Sequence, residues 1–235
     1  MASNDEIRET LFGDLPLNAW PPRWKTALSD EPWRSFLSAR EAAEAGRSPD
    51  AISLWQKISA MPNIESLHYA QAWHFLRSYG VHPDQSIAKD LLGVVLEVPM
   101  EGGLDVLAAY ADHHAAYFNF NGSATLWLRP DRSLDPLIDS VLHEGAHIIR
   151  KIGVWKEPRR PAPALGDIRI NLISPAGLHF GEGPMNLATT NPMTKPIWVA
   201  SAALLQEMVR VGLSSISKEA SMKNPTQTDQ RFRID

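Results

Sequence analysis

Cysteine is missing from all 235 residues, which removes disulfides, thiolate zinc sites and thiol nucleophiles from consideration. Long apolar runs are missing too. The most membrane-like stretch, Pro196 to Leu205, is about half of the ~20 residues that a spanning helix needs. No basic run occurs, and 23 Lys and Arg against 27 Asp and Glu leave a net charge of −4. Neither nucleic acid nor an anionic membrane is therefore an expected partner. The opening Met1-Ala2-Ser3-Asn4-Asp5-Glu6 lacks the basic flank and apolar core of a signal peptide, so a cytoplasmic protein is expected. No serine nucleophile elbow and no dinucleotide fingerprint occur. Gly181-Glu182-Gly183-Pro184 is followed by no Lys or Ser/Thr at phosphate-loop spacing, and its glycines read as a tight loop.

What remains is an ordinary globular composition, 44% hydrophobic and 21% charged, enough for one large or two small cores. Residues 1–28 form an irregular lead, with Pro16, Pro21 and Pro22 around Trp20 and Trp24. Residues 29–90 carry helical signals: a start at Ser29-Asp30-Glu31-Pro32, a stop at Gly46, and Ser48-Pro49 opening a second helix. A third helix is expected from about Asn63 to Gly80, and a short fourth from Pro83. Gly46, Pro49 and Asp50 recur 34 positions later as Gly80, Pro83 and Asp84. That is the period of tetratricopeptide helix pairs, and the segment resembles about one and a half such repeats. Two helical hairpins with Gly stops and Pro starts give the same pattern.

From Leu91 the periodicity becomes two. Leu92–Val98, Leu104–Tyr110, Tyr117–Phe120 and Ala124–Trp127 read as four antiparallel strands, with Asn121-Gly122 as a type I′ hairpin turn. A helix follows from Asp135-Pro136 to Ile152, then a proline-rich connector at 155–164. Strands at Ile168–Leu172 and Leu178–Phe180 and a helix at Thr194–Val211 complete residues 91–213. Residues 214–235 are expected to be a mobile polar tail. The order ββββαββα predicts an α+β fold, a mainly antiparallel sheet of about six strands with helices on one face.

Within the helix after the fourth strand lies His143-Glu144-Gly145-Ala146-His147. Two histidines four apart share a helix face and can offer two imidazoles to zinc, with Glu144 as general base toward bound water. The helical wheel points the other way. Leu134, Ile138, Val141, Gly145, Ile148 and Ile152 form one apolar stripe, and the row Asp139, His143, His147, Lys151 lies opposite it, as on a solvated face. A third ligand would come from Glu207, His179 or Glu182, none at a diagnostic spacing. Asp112-His113-His114 at a strand end could hold a metal but reads more simply as a turn. His68 and His74 read as packing or surface residues. A small-ligand site between sheet and helices near Tyr110, Phe118 and Trp127 is a further alternative to those aromatics being core.

Three segments, Gly103-Leu104-Asp105-Val106-Leu107-Ala108-Ala109-Tyr110-Ala111-Asp112, Arg169-Ile170-Asn171-Leu172 and Gly177-Leu178-His179-Phe180-Gly181-Glu182-Gly183-Pro184, resemble a family of uncharacterised bacterial proteins over about residues 50–212. That resemblance implies a bacterial cytoplasmic protein and carries no activity. The expectation from the sequence is a non-catalytic accessory protein without a cofactor, meeting a protein or peptide through its helical region. The alternative is a zinc-dependent hydrolase built on His143, Glu144 and His147.

Overall fold

The structure is a computed structural model that describes residues 8–22 and 30–223, with side chains as far as Gly212. The chain is α+β. Three helices, α1 (Trp33–Glu44), α2 (Ser48–Ser59) and α3 (Ser66–Ser78), precede four strands, β1 (Gly93–Met100), β2 (Gly103–Tyr110), β3 (Ala115–Phe118) and β4 (Ala124–Trp127). Helix α4 (Asp135–Ile149), strands β5 (Asp167–Ser174) and β6 (Gly177–Pro184), the short α5 (Met185–Ala188) and the long α6 (Lys195–Lys223) complete it. All six strands are antiparallel in the order β4-β3-β2-β1-β5-β6.

The 34-residue echo is two copies of one helix stop. Gly46 and Gly80 sit at φ +74° and +78°, where a Cβ is disfavoured. After each, the chain turns back on the helix: Arg47 N–H donates to Ala42 O at 2.8 Å, and Val81 N–H to Leu76 O at 2.9 Å. Beyond the two stops the chain diverges. Gly46 leads into α2, whereas residues 83–90 form turns and not the expected fourth helix. Helix α3 begins at Ser66, later than expected, because its cap comes from far away. Asp112 Oδ2 accepts the Ser66 N–H at 2.7 Å, and Ser66 Oγ accepts the Asp112 N–H at 3.1 Å.

Central strand β1 is buried on both faces, which is why its sequence runs Val94-Val95-Leu96 without alternation. One face of the sheet (Val94, Leu96, Leu107, Ile170, Leu172) packs on α4 and α6, as expected. The other face is also covered. Val95, Val106, Ala108, Tyr110 and Ile173 meet Leu11 and Phe12 of the lead and Leu67 and Ala70 of α3. Gly13 adopts φ +61°, and a Cβ there would stand 2.6 Å from the Ala70 Cβ, so only glycine lets the lead press onto α3. The lead then crosses α1 and α3. The Gln71 amide holds both Leu15 N–H (3.1 Å) and Leu15 C=O (2.8 Å), and Trp20 packs on Trp33 and edge-on to Phe36.

Other differences are local. The Asn121-Gly122 hairpin is present, but its turn is not type I′. Gly122 N–H donates to Asn119 O at 2.9 Å, and Gly122 is at φ +87° while Asn121 keeps a negative φ. That is a type I turn closed by a glycine bulge. Gly181 and Gly183 lie in β6, paired with Ile170 and Ile168, and form no loop. Helix α6 runs on to Lys223, through the first ten residues of the expected tail; residues 224–235 lie outside the described residues, as does Trp24.

Candidate functional site

The helix carrying the two histidines is amphipathic as the wheel predicts. Ile138, Val141, Gly145 and Ile148 are buried, and His143 and His147 are exposed. Gly145 marks the closest approach of α4 to the sheet: a Cβ there would stand 2.8 Å from Val94 Cγ2 and 2.9 Å from Leu91 Cδ2. On the outer side the two imidazoles meet edge to face, Nε2 to Nε2 at 3.1 Å. That separation serves a hydrogen bond between the two rings. It is also close to the roughly 3.3 Å between two nitrogens sharing a tetrahedral zinc.

His143 and Glu144 line one side of an open groove of about 650 Å³, with Lys195, Pro196 and Val199 of α6 on the other. The proposed third donors are engaged elsewhere. His179 is buried on β6 with Nε2 3.1 Å from Ser174 Oγ, Glu182 is bound by Arg169 Nε at 2.8 Å, and Glu207 is bound by Arg210. Among the described residues no group of three or more His, Asp or Glu is placed to hold a metal. Asp112-His113-His114 is a turn. Asp112 Oδ1 accepts the His114 N–H at 3.0 Å, His113 has φ +64°, and its Nε2 lies 2.9 Å from Asp139 Oδ1. Tyr110 and Phe118 pack on one face of the sheet and Trp127 on the other, so the three share no site.

A different constellation forms where the lead, α3, the 155–164 connector and the β5–β6 turn meet. They enclose a cavity of about 250 Å³, lined by Asp14, His74, Arg77, Trp155, Lys156 and Arg159 among others. Arg159 is committed: its Nε and Nη2 bind Asp14 at 2.8 and 3.2 Å, and its Nη groups bind Glu9. Arg77 is not. Among the described residues its only hydrogen bond goes from Nη1 to Pro175 O at 2.5 Å, and no carboxylate pairs with it. Burial lowers its guanidinium to about 10, with Asp14 opposing, so it stays charged at neutral pH. Burial also holds the His74 imidazole below its ordinary value, Asp14 pulling it up and Arg77 pushing it down.

Beside the cavity lies a buried charge network. Glu97, fully buried on β1, takes Arg8 Nε on Oε1, and Asn171 Nδ2 (2.9 Å) and Arg169 Nη1 (3.3 Å) on Oε2. Arg169 continues to Glu182. These bonds tie the lead to the sheet, while the buried Asn171 Oδ1 has no partner among the described residues.

No family model, curated protein or solved structure matches the chain.

The sequence reading missed His74 and Arg77 as a site. They stand on one face of α3, but the other walls come from residues 12–14, 155–159 and 173–178, and no local spacing links them.

Proposed function

We propose that the protein is a non-catalytic accessory protein that binds a small carboxylate in the cavity between α3, the lead and the β5–β6 turn. The observation that carries this reading is Arg77: a charged, largely buried guanidinium with spare donors beside an enclosed space. A planar fork of N–H groups suits a carboxylate, which it can hold through two parallel bonds. His74 supplies a second donor from the same helix face, and Lys156 adds positive charge at the mouth. The reading keeps the binding role expected from the sequence but moves it away from the helical groove, because residues 15–21 already lie across α1 and α3.

Calorimetric titration with acetate, succinate and inorganic phosphate is the direct test. The expected result is saturable binding of a carboxylate, weakened about tenfold or more by Arg77→Met, the loss of a charge-assisted pair. Because His74 is neutral at pH 7, affinity is expected to rise as pH falls and its imidazole gains charge. Binding of none of the three, or equal binding by the Arg77→Met variant, overturns the reading.

One observation favours the zinc hydrolase as a second reading, the convergence of His143 and His147 to 3.1 Å. Metal analysis of protein purified without a tag decides it. Zinc near one per chain that disappears in His143→Ala supports a site there, and zinc unaffected by that substitution removes it.

A further inference from the structure

The layer between the sheet and α6 holds a second cavity, on the opposite face of the sheet from Arg77. Its volume is about 180 Å³, the liquid share of about six waters. The walls are mostly hydrocarbon: Leu96 and Val98 of β1, Leu107 of β2, and Trp198 and Leu205 of α6. Set among them is Ser201, only 1% exposed, whose hydroxyl has no hydrogen-bond partner among the described residues. A helical serine ordinarily returns its proton to a carbonyl one turn back. Ser201 does not, and a buried hydroxyl left without a partner is costly unless something else fills the need.

The remaining polar wall limits the charge of what can enter. Asp105 lines the cavity with both oxygens occupied, Oδ1 by the Phe120 N–H at 2.7 Å and Oδ2 by the Tyr117 hydroxyl at 3.1 Å. The Tyr117 oxygen also accepts from Asn119 Nδ2 at 2.8 Å. With its partners inside the protein, Asp105 contributes negative charge and no free donor. An anion is repelled there, and the hydrocarbon walls disfavour a cation.

We propose that this cavity binds a small uncharged amphiphile, a short aliphatic body bearing one hydroxyl or carbonyl group whose oxygen bonds the Ser201 hydroxyl. The body packs against Leu96, Leu107 and Leu205, and the single polar atom satisfies the one hydroxyl in this lining that has no partner among the described residues.

The probes are 1-hexanol and hexanoate, which share a chain and differ in charge. They are titrated into the full chain labelled with 5-fluorotryptophan, with the Trp198 fluorine resonance assigned by Trp198→Phe. Hexanol is expected to shift the Trp198 resonance saturably, and hexanoate is not. Ser201→Ala should weaken hexanol by about three- to tenfold, the value of one hydrogen bond, while Arg77→Met leaves it unchanged. The proposal is overturned by an unmoved Trp198 resonance, by hexanoate binding as tightly as hexanol, or by unaltered affinity in Ser201→Ala.

Discussion

His74 and His179 set the expected acid response of the folded chain. Burial depresses both imidazoles below 6.5; for His179 the neighbouring Lys89 adds to it, while backbone contacts near Gly153 and Ile152 oppose. The unfolded chain therefore takes up protons in a range where the folded chain does not. Stability is complete above pH ~6.5 and declines as pH falls from there toward the two depressed values. Thermal unfolding followed from pH 8 to pH 5 should show this decline, and His179→Gln should flatten it. A midpoint that rises on acidification would contradict the sign. Glu31 acts lower on the scale. Slight burial raises its carboxyl, but hydrogen bonds from Lys57, Ser35 and Arg34 outweigh this and bring it to about 2. Its contribution is complete above the ordinary value of 4.5 and is lost as pH falls from there to about 2.

Helix α4 shows how one element serves two constraints. Its inner stripe must fit the sheet and its outer row faces water, so the residues between the two motif histidines answer to packing. Gly145 is the test position. Alanine there gains about 1 kcal/mol of helix propensity, yet its Cβ would stand 2.8 Å from Val94 Cγ2, 2.9 Å from Leu91 Cδ2 and 3.3 Å from Leu172 Cδ2. Overpacking of that kind costs about 1–3 kcal/mol. Gly145→Ala is expected to be net destabilising, by about 1 kcal/mol, in urea unfolding. A more stable variant would mean that α4 lies farther from β1 and β5 than these distances require. The edge strand β6 was underestimated from sequence because glycine reads as a break. Gly181 and Gly183 instead keep extended backbone against β5, while Glu182 between them reaches Arg169.

Taken whole, the molecule is joined by charge across its layers. Arg8 from the lead, Glu97 and Arg169 from the adjacent strands β1 and β5, and the Arg160 carbonyl from the connector converge on the sheet face that the lead and α3 cover. Breaking such a buried network strands a charge, at a cost of about 3–5 kcal/mol. Glu97→Leu takes the carboxylate from both Arg8 and Arg169, so it should lower the urea midpoint far more than a surface substitution and free the lead for proteolysis. Cleavage within residues 8–22 at the wild-type rate would count against that role. The same network positions the Asp14–Arg159 pair that walls the Arg77 cavity, so this variant should also weaken carboxylate binding indirectly. Among the described residues no helix is long and apolar enough to cross a membrane.

Periodicity and punctuation were sufficient for most elements, though not for residues 83–90, the full length of β6 or the end of α6. The two glycine stops 34 residues apart, the unbroken apolar β1, the hairpin at Asn121-Gly122 and the two-faced α4 are properties of short stretches, and short-range sterics and burial decide them. The α+β class follows from their order. Whether His143 and His147 meet a third donor, which partner caps α3, and what faces Arg77 were decided only by the tertiary structure. Each depends on groups from distant parts of the chain brought within a few ångströms. Such contacts are set by how layers pack, and they leave no regular spacing along the chain.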